Sequence, residues 1–503
     1  MKKIAKFLIV LGMMGQLSSC DYLDIVPDER AQESDTWKTE GAVRGYLYSC
    51  YGYLPANRTF GNSYWLAEEL TAVTKELFTT FKYGYYSPVS LGFTSNTWST
   101  IWNGIHQCYM FQESLKQVSN EYVTDEMKKQ YLAESNFLIA YYHFLSMRSY
   151  GPTMIIRSVI DLETPISGFP ERSSIDEVVA FINEKLDEAM SEGGLPTTWS
   201  GKDYGRATRL AALALKSRVY LYAASPLYNG NTEMYADFRS PLDGRQLIAQ
   251  EKSQAKWEIS ATQTKYAIDE VEKAKFHLYH DADAGEPSDA KPGLPNKAQR
   301  RLRYTNIDNQ TGNNPEIIWA DTRNDDYYGI QRRCPPRQTL GGKFAGISMT
   351  NCPTLQTIEA FYTKNGLPIN KDKTFDYDER YEYINAPENC DGNNYEDLVK
   401  YANFTPSSDK VMRLCTDREP RFYAWTTYHN GYFEFGKYNN EEISADPAKR
   451  AIRIHLLRDD PHGRGNRTDQ EYSISGFGNK KGVVPSAEWN VIEYPFPLFR
   501  LAE

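Results

Sequence analysis

The segment from Tyr204 to Gly230 constrains the fold of this chain more than any other. It reads YGRATRLAALALKSRVYLYAASPLYNG, and its apolar residues cover most of the circumference of a helix. A helix that is apolar nearly all the way round has to be buried among other helices. Pro226 ends the pattern, because a residue that precedes proline is pushed out of the helical conformation. The segment therefore predicts the central helix of a stacked helical array.

The small side chains of this helix indicate close packing. Alanine occurs six times between positions 207 and 224, so neighbouring helices can approach its backbone. One predicted buried face consists of Ala207, Leu210, Ala211, Ala214 and Leu221.

The chain begins with a pattern typical of an exported lipoprotein. Lysines at positions 2, 3 and 6 precede a short apolar run at 7–14, FLIVLGMM. That run is far shorter than the ~20 apolar residues of a membrane span, so residues 1–19 are predicted to be a signal peptide. Leu17-Ser18-Ser19-Cys20 follows and resembles a bacterial lipobox, in which Cys20 is the lipidated first residue.

Composition narrows the class of protein. Hydrophobic residues make up 41% and charged residues 24% of the chain, which is typical of a globular protein with an ample core. The net charge is −9, which argues against a nucleic-acid partner because phosphate binding needs a basic surface. Beyond Cys20, six cysteines remain, and their disulfide connectivity cannot be deduced from the sequence. Cys108 lies on an apolar helical face and is predicted to be buried.

Helical patterns recur along the first half of the chain. They predict helices near 41–53, from Trp98 to Leu115, around 133–145 up to Tyr150, and near 257–276. Ser174 and Glu177 form a predicted capping box before another helix. From about 280 onward, Gly, Pro, Asn and Asp clusters replace the long helical periods, and Glu316–Trp319 suggests a brief strand. The predicted organisation is a tether at 20–40, a helical region at 41–280 and a loop-rich region at 281–503.

Several motifs closely resemble those of the SusD/RagB family, outer-membrane lipoproteins of Bacteroidetes. Within 204–230, GRATRLAALALKSRVYLYAASPLYNG resembles a family helix, and residues 131–156 resemble its first tetratricopeptide-like repeat. Residues 354–369 and 417–423 resemble two later family segments, although Glu419 replaces an aspartate. In the family, the final PLFRLAE begins a further helix pair that is absent here, so the chain is expected to be truncated.

The resemblance implies both architecture and function. It predicts a mostly α protein of tetratricopeptide-like helix pairs with a large loop-rich portion carrying short strands. The implied function is capture of oligosaccharides or other nutrients at the cell exterior and their delivery to a SusC-like TonB-dependent transporter. The partners are then a glycan, that transporter and the membrane, which is reached through the lipid on Cys20. Family members have no known catalytic role, and no cofactor is implied.

Motifs of the common catalytic and metal centres are missing from the sequence. Neither GxxxxGK, HExxH nor GxSxG occurs. His277 and His280 are one helical turn apart, but the sequence gives them no third ligand, so no metal site is predicted. A glycoside hydrolase needs two carboxylates across the scissile bond, and nothing in the sequence selects such a pair. A hydrolase and a lipoprotein that only scaffolds other proteins remain the alternatives.

Aromatic residues outside the helical patterns are the candidate ligand contacts. Sugar sites combine aromatic rings with a few polar side chains, and two clusters fit that description, each residue being as well suited to packing as to ligand contact. They comprise Trp65, Tyr83, Tyr85 and Tyr86, and Trp319, Arg323, Asn324, Asp325, Tyr327 and Tyr328. Trp98 and Trp102 have helical core spacing instead and are predicted to be structural.

Overall fold

The fold was analysed in a computed structural model. It describes residues 37–55, 69–72, 95–161, 163–280, 282–283, 297–307, 314–323, 334, 351–385, 403–404, 410–434, 451–453, 477–479 and 496–502. The predicted signal peptide and Cys20 lie outside these ranges. Within them, no helix has the length and apolar character needed to cross a membrane.

Helices dominate the first half of the chain. They are α1 (Glu40–Tyr51), α2 (Ser95–Leu115), α3 (Asp125–Tyr150), α4 (Ile175–Ala189), α5 (Arg209–Ala224), α6 (Thr232–Tyr235) and α7 (Gln254–Lys273). Shorter helices follow, namely α8 (Lys297–Tyr304), α9 (Leu355–Ala360) and α10 (Pro420–Trp425). The helices predicted from apolar periodicity are confirmed, with bounds that differ by a few residues.

Side-chain caps fix where several helices begin. The hydroxyls of Thr39, Thr124 and Thr208 accept backbone N–H groups of α1, α3 and α5. At α4, Ser174 and Glu177 form the predicted capping box, with both reciprocal hydrogen bonds present. Each cap satisfies N–H groups that the first helical turn leaves without partners, so it places the helix start at one residue.

Consecutive helices pack on one another to form the helical array, defined here as α1–α5 and α7. α1 packs on α2, α2 on α3, α3 on α4, α4 on α5, and α5 on α7. The main core runs through α1–α5 and includes Phe111, Phe137, Phe144 and Phe181. A smaller apolar cluster joins α5 to α7 through Leu210, Leu213, Ala267 and Val271.

Most of the apolar residues of helix α5 are buried as predicted, whereas Ala214 is only partly buried. Leu210, Ala211, Leu215 and Val219 are at most 2% exposed. The prediction that Leu221 belongs to the buried face is wrong, since its side chain is 46% exposed. A helix that is apolar all round does not reveal from its own sequence which residue its neighbours leave uncovered.

A buried polar network joins α1, α3 and the entry to α5. The guanidinium of Arg206 donates to the carboxylate of Glu134, with Nε 3.2 Å from Oε2. The Tyr51 hydroxyl donates to the same Oε2 at 2.7 Å and accepts from the Ala207 N–H at 2.9 Å. Burial raises the pKa of Glu134, while Arg206 and Tyr51 oppose that shift. The three segments are thereby held in one relative position.

Short strands carry most of the remaining regular structure. They are β1 (Leu70–Ala72), β2 (Thr153–Met154), β3 (Arg172–Ser173), β4 (Ile317–Asp321), β5 (Asn351–Pro353), β6 (Tyr383–Asn385), β7 (Lys410–Met412), β8 (Thr426–Thr427), β9 (Tyr432–Glu434), β10 (Ala451–Arg453), β11 (Gly478–Asn479) and β12 (Phe496–Arg500). They form the antiparallel pairs β1–β5, β2–β3, β4–β12, β6–β7, β8–β11 and β9–β10. The strand suggested at Glu316–Trp319 is confirmed as β4.

The later part of the chain builds its own apolar cluster, called here the second core. Its buried members include Ile358, Val411, Leu414, Phe422, Tyr428 and Phe477. Arg418 is only 3% exposed beside it. Its guanidinium donates to the carbonyl oxygens of Leu414 at 2.6 Å and of Ile358 and Phe361 at 2.7 Å. A single side chain thus satisfies carbonyl oxygens at the end of α9 and in the turn at Leu414, which have few backbone partners of their own.

Candidate functional site

Most of the residues predicted to contact a ligand lie outside the described ranges. These are Trp65, Tyr83, Tyr85 and Tyr86 of the first cluster, and Asn324, Asp325, Tyr327 and Tyr328 of the second. Trp319 and Arg323 are described, and the structure gives them different environments.

Trp319 is part of the main core. Its side chain is 2% exposed, and its ring packs edge-on against Phe137 and Tyr141 of α3, with centroids 5.0 and 5.3 Å away. Its indole Nε1 donates to the carbonyl oxygen of Gly205 at 2.8 Å. A ring buried on both faces offers no surface to a sugar, so the prediction that Trp319 contacts a ligand is wrong.

Arg323 joins the two segments that lead into the predicted clusters. Its guanidinium pairs with Asp321 at 2.7 Å and donates to the carbonyl oxygens of Leu54 and Pro55 at 2.9 and 3.0 Å. Burial lowers the pKa of Arg323, but the hydrogen bonds and charge of Asp321 raise it overall. Residues 56–68, which include Trp65, follow Pro55, and residues 324–330, which include Tyr328, follow Arg323. Because Arg323 contacts Pro55, these two segments begin close to each other.

A cleft of about 640 Å³ lies between α2 and the segment that follows β2. Trp98 and Trp102 of α2 line it together with Phe169, which is 45% exposed. Its apolar base is formed by Ile105, Met154, Ile156 and Ile160, and its exposed polar lining by Ser99, Asn103, His106, Ser158 and Asp161. Aromatic and apolar surface with a few polar groups is the composition of small-molecule sites.

The two tryptophans of the cleft are held by packing. The ring of Trp98 packs edge-on against Tyr150 and Trp102, with centroids 4.8 and 5.3 Å away. The ring of Trp102 also packs against the buried ring of His143, with centroids 6.0 Å apart. Both remain only partly buried. The indole Nε1 of Trp102 is buried and has no hydrogen-bond partner within the part of the chain that the structure describes. Rings fixed in this way present a pre-formed aromatic surface at little entropic cost.

A glycine lets α2 approach α3 beside this cleft. A Cβ added at Gly104 would lie 2.8 Å from the ring of Tyr142, closer than real contacts allow. Tyr142 is fully buried, and its hydroxyl donates to the carbonyl oxygen of Cys50 at 2.6 Å. The close approach positions Asn103 and Ile105, which flank the glycine, along the wall of the cleft.

Trp98 and Trp102 were predicted to be structural. Their ring contacts agree with that prediction, and the structure adds that both rings also line the cleft. Their spacing of four residues is compatible with a core stripe, which is why the cleft was missed. The signal available in the sequence was the exposed polar set Ser99, Asn103 and His106, which follows the same helical spacing next to the tryptophans. A helix face that carries both aromatic and polar residues at helical spacing is typical of the solvent-exposed wall of a cleft.

The number of carboxylates that line the cleft is relevant to the alternative that the protein is a glycoside hydrolase. Within the described lining, Asp161 is the one carboxylate, whereas glycoside hydrolysis uses two carboxyl groups about 5–10 Å apart. The described lining therefore suits binding of a neutral polyol, with aromatic surface for its C–H faces and polar side chains for its hydroxyls.

A third ligand for His277 and His280 emerges from the structure. The potential ligand atoms of His277, His280 and Asp283 all lie within 4.8 Å of one another. The expectation that the two histidines lack a third ligand is therefore wrong, because the turn after α7 brings the carboxylate back to the imidazoles.

Family models account for most of the chain. A model described as "Starch-binding associating with outer membrane" matches residues 21–221. A second, described as "SusD family" and covering SusD and RagB, matches residues 315–503. The chain belongs to the SusD/RagB family. The first match includes the helical array as far as α5, and the second includes β4, the second core and β12.

Solved structures of SusD-like proteins have the same fold. The protein named BT4246 is 26% identical, with a TM-score of 0.72, covering 92% of this chain and 77% of its own. A SusD-like protein from Bacteroides fragilis, BF3747, is 18% identical at a TM-score of 0.59, covering 94% of this chain and 75% of its own. A SusD-like carbohydrate binding protein of that organism, BF0978, is 16% identical at a TM-score of 0.53, covering 93% and 72%. No curated protein matches the chain. The predicted mostly α, tetratricopeptide-like fold is confirmed.

Proposed function

We propose that this SusD/RagB protein binds an oligosaccharide at the outer-membrane surface and delivers it to a SusC-like TonB-dependent transporter. Family membership supports glycan binding, since one matching model is described as starch-binding and associated with the outer membrane. The observation that carries the proposal is the cleft of Trp98 and Trp102, with its aromatic wall, apolar base and exposed polar groups.

The chemistry of the cleft suits a sugar ring. The C–H faces of a pyranose are apolar and pack on aromatic rings, while its hydroxyls need donors and acceptors at the edge. Asn103 and Asp161 offer both kinds of group beside the tryptophan rings.

A glycan array on the soluble protein from Asp21 onward tests the proposal and identifies the ligand class. We expect saturable binding of one oligosaccharide class, with the glycan intact after prolonged incubation. New reducing ends that increase with protein concentration and disappear in Asp161→Asn would favour the hydrolase instead. Absence of binding to any oligosaccharide, by a folded sample, would contradict the proposed function.

The predicted residues outside the described ranges belong to the same proposal. Arg323 brings together the residues that precede the segments of Trp65 and Tyr328, which supports ligand contact by both clusters. Tyr85 and Tyr328 represent the two clusters in the test. Truncating either tyrosine to alanine should weaken glycan binding by about 1–3 kcal/mol, a typical hot-spot loss. Thermal melting on the same variants provides the control, because a ring that packs in a core would lower stability and leave affinity unchanged.

Attachment to the membrane is a separate part of the proposal. The thiol of Cys20 is the group that a lipid would modify, so Cys20→Ala should release the protein from the membrane fraction. The experiment is done without the transporter, since binding to a transporter would retain the protein independently of the lipid. Persistent fractionation of Cys20→Ala with membranes would contradict lipid attachment at this residue.

Delivery to the transporter requires a physical complex. We expect a SusC-like protein to co-purify with the wild-type protein from detergent-solubilised outer membranes. Glycan binding without any co-purifying transporter would contradict delivery, while leaving the binding proposal intact.

A further inference from the structure

The turn that follows α7 gathers three potential metal ligands on one side. His277, His280 and Asp283 are spaced three residues apart, and their potential ligand atoms lie within 4.8 Å of one another. We propose that these residues bind one divalent transition-metal ion of the Zn²⁺ type. The proposal is independent of glycan binding, because none of the three lines the cleft.

The backbone of this turn is fixed by hydrogen bonds, so the three side chains are held together rather than scattered. The His277 N–H donates to the carbonyl oxygen of Pro315 at 3.1 Å, and the Tyr279 N–H donates to Glu316 Oε2 at 3.0 Å. Tyr279 is 4% exposed, and its hydroxyl donates to the Asp283 carbonyl oxygen at 3.0 Å. The buried tyrosine thus ties both ends of the turn to the strand entry at Glu316.

The side chains converge with little space between them. The rings of His277 and His280 stack with centroids 4.9 Å apart at an angle of 11°. His277 Nδ1 lies 3.9 Å from Asp283 Oδ2, and the backbone N–H of His280 donates to the same oxygen at 2.6 Å. Ligands of a tetrahedral zinc ion are separated by about 3.3–3.5 Å. The potential ligand atoms of the three side chains lie within 4.8 Å of one another, so side-chain movements of about 1–1.5 Å would bring them to coordination distance.

The chemical type of the ligand atoms determines which metal ions the site would prefer. Two imidazoles with one carboxylate suit Zn²⁺, Co²⁺ or Ni²⁺, whereas Ca²⁺ and Mg²⁺ prefer sites made entirely of oxygen ligands. Three protein ligands leave a fourth position of a tetrahedral ion for water. His277 Nδ1 lies 2.9 Å from the Leu278 carbonyl oxygen, and when Nδ1 donates there, Nε2 keeps its lone pair for the metal.

The site is exposed enough for an ion to enter. The side chain of His277 is 44% exposed and that of Asp283 is 23% exposed. An ion bound there would connect the two ends of the turn from 277 to 283 and stabilise the end of the helical array.

Calorimetric titration of ZnCl₂ into the soluble protein, prepared without a histidine tag and freed of metal by chelator, tests this proposal. We expect one Zn²⁺ per chain, and Co²⁺ binding with the visible absorption of a tetrahedral ion. His277→Ala, His280→Ala and Asp283→Asn should each weaken affinity by about tenfold or more. Asp269→Asn, an exposed carboxylate on α7, is the matched control and should bind like wild type.

Two outcomes would overturn the assignment. One is the absence of saturable Zn²⁺, Co²⁺ and Ni²⁺ binding. The other is equal affinity in wild type and in the His280→Ala and Asp283→Asn variants, which would mean adventitious surface binding only. Melting curves in chelator establish that the variants are folded, and His280→Ala, whose side chain is exposed, keeps the test usable if Asp283→Asn unfolds.

Discussion

The helical array and the second core are stabilised in different ways. In the array, regular helices satisfy their own backbone, and apolar side chains such as Phe137 and Phe144 form one large cluster. In the second core, the apolar cluster is smaller and is built from short helices, short strands and turns. There, Arg418 donates to three carbonyl oxygens at 2.6–2.7 Å, and Asp372 accepts from Asn365 and Thr374.

This difference shows where polar side chains contribute to the stability of the fold. Buried backbone groups need partners, and outside helices and ladders the side chains have to supply them. Hydrogen bonds from Thr363 and Thr374 hold the pKa of Asp372 below its usual range. In the array, a polar hub lies at a junction of segments, where Glu134 meets Arg206. Burial of apolar side chains therefore stabilises the helical array, and specific hydrogen bonds between side chains and backbone stabilise the second core.

Removal of a large ring from the main core should have the largest effect on stability. Trp319→Ala leaves a cavity against Phe137 and Tyr141 and frees the carbonyl of Gly205. We expect a loss of about 3–5 kcal/mol in the free energy of unfolding, measured by urea denaturation. Trp319→Phe, which keeps much of the apolar volume, should lose less. A loss below about 1 kcal/mol would mean that this ring is not part of the core.

Replacement of Arg418 should affect the second core alone. A lysine has a single ammonium and cannot reach the carbonyl oxygens of Leu414, Ile358 and Phe361 together. Arg418→Lys should cost about 2–3 kcal/mol, and hydrogen exchange should speed up around 358–428 while α3 and α5 keep their protection. Arg421→Lys, an exposed arginine paired with Glu419, is the matched control and should change stability little. Uniformly faster exchange in both regions would contradict their separate stabilisation.

Acid should act on the array through His143. Burial lowers the pKa of this imidazole to about 4, whereas in the unfolded chain it titrates near 6.5. Between these values the unfolded chain binds the proton and the folded protein does not, so stability is complete above pH ~6.5 and falls as the pH drops towards 4. We expect a loss of about 2 kcal/mol between pH 7 and 5 from this group.

A variant separates this contribution from other titrating groups. In the folded protein, His143 Nδ1 lies 2.8 Å from the Ile139 carbonyl oxygen, and Nε2 accepts the Ile156 N–H at 3.3 Å. His143→Gln keeps a donor and an acceptor but does not titrate, so its stability should depend less on pH over this range. Equal pH dependence in wild type and variant would contradict the assignment.

The sequence predicted the array well because its signals are local. Helical spacing, the box of Ser174 and Glu177, and the proline at 226 all act within a few residues. The same signals failed where exposure depends on distant partners. Trp319 is buried partly by Phe499, which lies far along the chain, and a local pattern cannot report that contact.

The candidate sites were harder to predict for the same reason. Trp98 and Trp102 have core spacing, and only the segment after β2 turns their helix face into a cleft. Asp283 carries no motif that links it to His277, because a turn rather than a helix brings them together. Local sequence patterns therefore predicted the helical array. Which aromatic rings and which potential metal-binding side chains are accessible depends on tertiary packing.

Calorimetric titration of Trp98→Ala and Trp319→Ala with the glycan identified on the array tests the central claim most directly. If the cleft binds the sugar, Trp98→Ala should weaken affinity about tenfold or more with a nearly unchanged melting temperature. Trp319→Ala should lower the melting temperature and leave the affinity of the folded protein unchanged. Wild-type affinity in Trp98→Ala and Trp102→Ala, or a loss of affinity confined to Trp319→Ala, would contradict the account.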